Sequence, residues 1–512
     1  MSTPFRSQNA QRGYAMLFIV IVVMGVSFIM VRTLNASTWK ADRLRVTNAA
    51  LAQAKEALIA RAVADNNRPG SLPCPDTDGD GDAELFAGND CPSYIGRLPW
   101  QTLRLPDLRD AEGERLWYVL SPSFRDHANA QPINSNTIGT INVAGTAPST
   151  GVVAVIIAPG RALTRAGAAG SQLRDCPANC NNPVNYLDSA GGVDNAVWAP
   201  VAGVATVTAA AESASFNDRV LPITQDEIMR LVERRAGREL GGKLRAHFDA
   251  WQGAALVNNT KGFHPWAAPF NDPSIASPGT NGTETGQLPM SAANVVWSNA
   301  NMALGNCTGE GTSQLQCTGP VVCLVNCLTP ITARLNGIGT AFIDPPNGSE
   351  VTTSFVGVTV LGVIPGGTWT LNAAQQRLDF AWNGVALIGV GTVQVTINAP
   401  AQSAWVTSPA DWLVANNWPS LSHYSVSQRY AISGTNACGG GGPGTCITVG
   451  NATNKEAVVT MTGRALAGQN RAVPALNQFL EGGNQDPTDL VLERNLRTLT
   501  FNDQPIAVRP WP

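Results

Sequence analysis

Charge is scarce in this chain of 512 residues. Lysine, arginine, aspartate and glutamate make up 14% of it, and the formal net charge is -3. A near-neutral, slightly acidic chain offers no electrostatic basis for binding nucleic acid. Histidine is scarcer still: His127, His247, His264 and His423 lie far apart. There is no His-Glu-x-x-His, no Gly-x-Ser-x-Gly and no Cys/His pairing, so the local signatures of zinc proteases, serine hydrolases and thiol enzymes are missing. The Gly-rich stretch between Cys438 and Cys446 lacks the Lys-Ser/Thr of a phosphate-binding loop. These gaps argue for a protein that is not an enzyme.

What the chain does have is unevenly placed. Tyr14 to Val31 is a run of 18 residues without a charge. As a helix it would measure about 27 Å, enough to cross a bilayer core. A short leader precedes it, with Arg6 and Arg12 and no acid, ending Gln11-Arg12-Gly13. The run ends Phe28-Ile29-Met30-Val31-Arg32 and so lacks the small residues of a secretory cleavage site. From Thr33 to Ala64 there is no proline or glycine, and good helix formers dominate. Leu44, Ala50, Leu51, Ala54, Leu58 and Val63 recur at helical spacing. The pattern predicts one helix over 14–65, apolar in its first half and amphipathic in its second.

The Gln11-Arg12-Gly13 junction followed at once by Tyr14 resembles the N-terminus of type IV prepilins and pseudopilins. That resemblance implies cleavage after Gly13 by a prepilin peptidase and methylation of Tyr14 as the new N-terminus. It implies a single pass through the bacterial inner membrane, with contacts to lipid there and the C-terminal region in the periplasm. It also implies later assembly, by inner-membrane machinery, with other pilins or pseudopilins through the helix. The family's fifth mature residue is usually Glu; here it is Phe18. A tip subunit has no neighbour ahead whose amine needs that Glu. By resemblance, then, Phe18 points to a minor or tip subunit of a type IV pilus or secretion filament, such as the K-type pseudopilin of type II secretion. The cell surface is a further location once such a filament is assembled.

Ten cysteines, an even number, all lie beyond the apolar run: Cys74, Cys91, Cys176, Cys180, Cys307, Cys317, Cys323, Cys327, Cys438 and Cys446. They fall in local clusters without nearby histidine, which favours short-range disulfides in an oxidising compartment over a zinc site. Cys74 and Cys91 bracket an acidic loop, Asp76-x-Asp78-x-Asp80-Gly81-Asp82-x-Glu84. Alternate carboxylates converging on one hard cation, with glycine for the turn, form the first half of a calcium loop. The twelfth position is Ala87 rather than a bidentate Glu, so a full EF-hand is excluded. The expected cofactor is a structural calcium held by Asp76, Asp78, Asp80, Asp82 and Glu84.

Two distant stretches resemble each other. Ala154 to Leu163 ends Pro-Gly-Arg-Ala-Leu, and Ala457 to Leu466 ends Thr-Gly-Arg-Ala-Leu. Downstream, Tyr186-Leu187-Asp188 parallels Phe479-Leu480-Glu481, and Phe216-Asn217-Asp218 parallels Phe501-Asn502-Asp503, in the same order. A duplicated β-rich module accounts for this. Thr224-Gln225-Asp226-Glu227 is a capping box opening a helix to about Trp251. Residues 257–410 carry only nine charged residues and include the alternating stretch Thr392 to Asn398, a half-buried strand pattern.

The expected fold class is therefore α+β: a long N-terminal pilin-type helix followed by disulfide-bonded, mostly β exported domains. The divisions are a leader (1–13), the pilin helix (14–65), a first lobe with the acidic loop (66–224), a connecting helix (225–256), an inserted β-rich domain (257–410) and a second lobe (411–512) related to 150–220. The leading function is a minor pilin or tip pseudopilin. The alternative is a tip-displayed or membrane-anchored adhesin whose 257–410 domain binds a surface or secreted ligand.

Overall fold

The computed structural model describes the backbone of 9–127, 131–164, 171–250 apart from 178, and most of 284–289, 411–430 and 446–509. Beyond these it describes 264, 266–268, 438 and the strands within 296–398; side chains of 9–15, 27–37 and 290–410 lie outside the described residues. The chain is α+β, with many strands and few helices. Contacts divide it into two compact units, one drawn from residues 1–62, 72–130 and 138–225, the other from 63–71, 131–137 and 226–512.

The first unit opens on helix α1, Asn9–Ala64, which at 56 residues is about 84 Å long. Nothing interrupts it, because neither proline nor a glycine pair occurs within it. Met16 to Met24 and Val26 are exposed on every side of the helix. Among the described residues no helix is long and apolar enough to cross a membrane, and part of the expected 14–31 span lies outside the described side chains. Further along, Thr47, Ala50, Leu51, Ala54, Leu58 and Ala62 are buried at three- and four-residue spacing, the stripe of a helix laid on a core.

The strands of this unit are β1 (Ile95–Arg97), β2 (Trp117–Leu120), β3 (Ile141–Gly145), β4 (Ser149–Ala158), a short β5 (Ser189–Ala190) and β6 (Val193–Asp194) ladder, β7 (Ala205–Ala209) and β8 (Arg219–Thr224). They form a sheet in the order β1-β2-β4-β3-β7, with β8 also on β4. Val152 to Ala158 are wholly buried, as befits a central strand covered on both faces. Trp117, Val119, Val155, Ile157, Tyr186, Leu187 and Val207 make the core beneath one face.

The second unit opens on helix α2, Gln225–Ala250. Ile228, Val232, Ala236, Leu240, Leu244 and Phe248 are buried at every fourth position. Strand β9 (Thr285–Gln287) follows. Then come β10 (Val296–Ser298), β11 (Asn306–Thr308), β12 (Gln314–Cys323), β13 (Ile331–Asn336), β14 (Glu350–Thr359), β15 (Gly367–Asn372), β16 (Arg377–Trp382) and β17 (Gly389–Asn398). These eight make two four-stranded antiparallel sheets, β10-β13-β16-β15 and β11-β12-β17-β14. After α3 (Trp412–Ala415) the chain continues as β18 (Ser422–Val426), β19 (Ile447–Val449), β20 (Ala452–Lys455), β21 (Ala457–Met461), β22 (Val491–Leu492) and β23 (Gln504–Arg509). Here β23-β21-β18-β9 form one sheet and β20-β19-β22 another.

The two units repeat one plan far beyond the stretches that look alike in sequence. In the first, Gly96 pairs with Tyr118 and Tyr118 with Ile156. In the second, Gly286 pairs with Tyr424 and Tyr424 with Val459. Ile141 and Val143 pair with Val152 and Ser149, and Ile447 and Val449 with Lys455 and Ala452. The parallel pairs β3-β7 and β19-β22 correspond, as do the closing pairs β4-β8 and β21-β23. Loop bonds agree too: Leu72 N donates to Phe124 O and His264 N to Tyr430 O, each at 2.8 Å. Both Gly96 and Gly286 lie too close to a backbone carbonyl, of Asp76 and Ala268, to carry a side chain. β9 therefore belongs to the second unit's own sheet. The eight strands β10 to β17 interrupt the unit between Leu288 and Ser422, which are joined by Leu288 N donating to Ser422 O at 3.2 Å. In the first unit the same connection is the short Pro99–Arg115 loop, framed by Leu98 N donating to Leu116 O at 3.1 Å.

Candidate metal site and duplicated clasp

The acidic loop is held from three sides. A disulfide joins Cys74 and Cys91. Asp76 pairs with the start of the sheet through Arg97, its N–H donating to Arg97 O at 3.1 Å. Asn181 Nδ2 donates to Asp78 O, Gln101 Nε2 to Asp80 O and Arg115 to Gly79 O. Within the loop, Asp76 Oδ1 accepts from Gly79 N at 2.6 Å and Oδ2 from Gly81 N at 2.9 Å. Gly79 and Gly81 have φ of 83° and 94°, the left-handed region that glycine enters without strain.

One carboxylate oxygen each from Asp76, Asp78 and Glu84 lie within 4.8 Å of one another. Thr77 orients Glu84, donating to its Oε1 from N at 3.0 Å and from Oγ1. Asp80 and Asp82 stand outside this trio. Asp80 Oδ1 accepts from Asp82 N, and Asp82 Oδ1 from Thr102 Oγ1. Burial pushes the Asp76 carboxyl above its ordinary pKa, with Asp78 and Asp80 adding to the rise against the opposing bonds from Gly79 and Gly81. Three hard oxygens, one of them from the buried Asp76, suit a divalent cation.

The other expected positions are distributed as follows. Gly13 and Tyr14 lie in the backbone of α1, and Phe18 is exposed on it. Disulfides also join Cys176 to Cys180 and Cys438 to Cys446. Cys307 stands opposite Cys317 in the β11-β12 register, Cys323 ends β12, and Cys327 lies outside the described residues. No described cysteine is free.

The repeated Gly-Arg-Ala-Leu turns build one hydrogen-bonded device twice. Asn217 Nδ2 donates to Arg161 O, and Asn502 Nδ2 to Arg464 O, both at 2.8 Å. Gln172 Oε1 accepts from Leu163 N at 3.0 Å, and Gln469 Oε1 from Leu466 N at 2.9 Å. The guanidinium of Arg174 donates to Gly160 O and lies over Tyr186; that of Arg471 donates to Gly463 O and lies over Phe479. Asn195 and Asn484 take the same place against Asp218 and Asp503. The Gln, Arg and second Asn of each set carry no mark in sequence beyond a shared Gln-x-Arg spacing, Gln172/Arg174 and Gln469/Arg471.

No protein-family model, no curated protein and no solved structure matches the chain.

Proposed function

We propose that the chain is a non-enzymatic structural subunit of a type IV pilin-like filament, a minor pilin or tip pseudopilin matured by a prepilin peptidase after Gly13. The observation that carries this reading is the uninterrupted helix Asn9–Ala64. Its apolar residues from Met16 to Val26 are exposed all round, and its later residues from Thr47 to Ala62 are buried on a disulfide-bonded β unit. An exposed all-apolar helix segment needs lipid or neighbouring helices around it. A buried continuation fixes that segment rigidly to the folded unit. In this reading the helix sits in the inner membrane before assembly, the β units face the periplasm, and other pilins or pseudopilins pack on the stem.

The Asp76, Asp78 and Glu84 trio is proposed to hold a structural calcium that offsets the crowded carboxylates. Calcium titration followed by calorimetry tests this. Micromolar-to-millimolar binding that disappears in Asp78→Asn supports it, and heat of binding unchanged by that substitution sinks it.

The eight-stranded insertion favours a second, compatible reading, an adhesin displayed on the filament. Its point of entry is a loop that is short in the first unit, so the unit's own sheet does not require it. Deleting 290–410 should abolish attachment and spare assembly on that reading.

The maturation step is tested by mass spectrometry of the N-terminal peptide after expression with and without a prepilin peptidase. A peptide beginning at Tyr14, found only with the enzyme, is the expected result. A Met1 start in both samples overturns the filament reading.

A further inference from the structure

Each unit closes with two buried carboxyl groups laid against one another. In the second unit these are Glu481 and Asp503, each 4% exposed. Asp503 Oδ2 accepts from Glu481 N at 2.8 Å and Asn484 Nδ2 at 3.1 Å. Glu481 Oε2 accepts from the N–H groups of Asn502 at 3.0 Å and Asp503 at 3.1 Å, and its Oε1 from Gln469 Nε2 at 3.0 Å. These bonds hold the two carboxyl groups side by side, each accepting the other residue's backbone N–H. Two ionised carboxylates held side by side repel, and a proton on one of them relieves that repulsion.

The surroundings do not neutralise a doubly charged pair. Arg471 is the cation facing it from the intervening loop, and its guanidinium is engaged with the carbonyls of Gly463 and Gln478 and the ring of Phe479. Glu233 faces Arg471 from α2 and adds a further acid. Burial first, and Glu481 second, push the Asp503 carboxyl well above its ordinary range.

The first unit has the same arrangement. Asp218 Oδ2 accepts from Asp188 N at 2.8 Å and Asn195 Nδ2 at 2.9 Å. Asp188 accepts from Asn217 N at 2.7 Å and Gln172 Nε2 at 2.9 Å. Arg174, paired with Glu114, and Asp110 on Gly160 N lie around the same turn. One copy uses two aspartates and the other a glutamate and an aspartate, yet both keep two acids. Each acid accepts from donors the other does not take, so both are held in place against their mutual repulsion.

We propose that each acid pair is a proton-holding clasp, in which one shared proton fastens the closing Asn-Asp turn to the loop and makes the unit loosen as pH rises. The sign follows from linkage. The folded pair binds a proton that the unfolded acids release near their ordinary pKa of about 4. In the second unit the clasp's contribution is therefore full below that pH, declines up to the raised pKa of Asp503, and is flat above it.

Hydrogen–deuterium exchange of the full chain in detergent micelles tests the proposal on peptides covering 479–485 and 500–506, from pH 5 to 9, corrected for intrinsic exchange. Protection in the wild type should fall with pH by up to about tenfold per unit. In Asp503→Asn the amide donates to Glu481 as the shared proton did, so protection should hardly vary with pH and should exceed wild type at pH 9. Asp218→Asn should do the same for peptides covering 186–190 and 215–219. A flat wild-type profile overturns the proposal. So does an Asp503→Asn variant that loses protection equally at every pH, since then the carboxylate itself, not the proton, is what the turn needs.

Discussion

Placing a methyl group on Gly463 tests the packing of the clasp directly. An ideal Cβ there falls inside van der Waals contact of the Asn502 carboxamide, 2.7 Å from its Nδ2. Asn502 is 2% exposed, so the carboxamide has nowhere to retreat. Gly463 does not occupy the left-handed region, so the backbone itself tolerates alanine; the cost is all contact. Forcing the carboxamide aside strains the core by roughly 1–3 kcal/mol. It also breaks the bond from Asn502 Nδ2 to Arg464 O, worth about 1 kcal/mol. Gly463→Ala should therefore cost about 2–4 kcal/mol. Asn502→Ala alone should cost about 1–2 kcal/mol through the same lost bond. The double variant should be little worse than Asn502→Ala, because the clashing atoms are gone. That makes a coupling of about 2–4 kcal/mol in a double-mutant cycle. Calorimetric unfolding of the three variants reads it, at roughly 2–4 °C per kcal/mol for a unit of this size. The first unit supplies a control. Gly160 has φ of 61°, and Asn217 is half-exposed, so Gly160→Ala should suffer mainly from backbone strain that Asn217→Ala cannot relieve. Strictly additive costs at Gly463 and Asn502 would refute the reasoning.

Other expectations follow from comparing the two units. Thr460 is fully buried with an unpartnered hydroxyl, where the first unit has Ile157, so Thr460→Val should leave stability unchanged or raise it by about 1 kcal/mol in urea unfolding. A loss of more than about 1 kcal/mol would show that the hydroxyl is satisfied in solution. Burial pushes the His423 imidazole down to about 3 from 6.5. The unfolded chain therefore binds the extra proton, and stability is lost as pH falls below 6.5. The loss at pH 5 is about 2 kcal/mol, and His423→Phe should abolish it in a pH series of unfolding midpoints. Excising 290–410 and bridging the ends with a short Gly/Ser loop should leave the Cys438–Cys446 disulfide and the unfolding of the second unit intact. Loss of both on intact-mass and thermal analysis would mean the inserted strands are part of its core.

The local patterns of the chain were legible without coordinates, because each depends on neighbours in sequence. A run of charge-free residues followed by helix formers without glycine pairs or proline has few options but a helix. Alternate aspartates before a glycine prescribe a tight acidic turn, and three of the five expected carboxylates do converge in it. The two Gly-Arg-Ala-Leu stretches were visible because a turn set against a side chain leaves little freedom in residue choice. The rest had no local mark. Gly96 and Gly286 matter only because a strand from elsewhere brings a carbonyl against them. The relation of Tyr118 to Tyr424, or Leu72 to His264, lies in strand register, which no window of sequence contains. Asp188 and Asp218, thirty residues apart, look like two unrelated surface acids until burial sets them side by side. Sequence alone thus determined the elements, the acidic loop and the hint of duplication. Tertiary structure decided which acids are buried side by side and where the insertion interrupts its host. Both depend on hydrogen-bonded register and desolvation, which are set by partners remote along the chain.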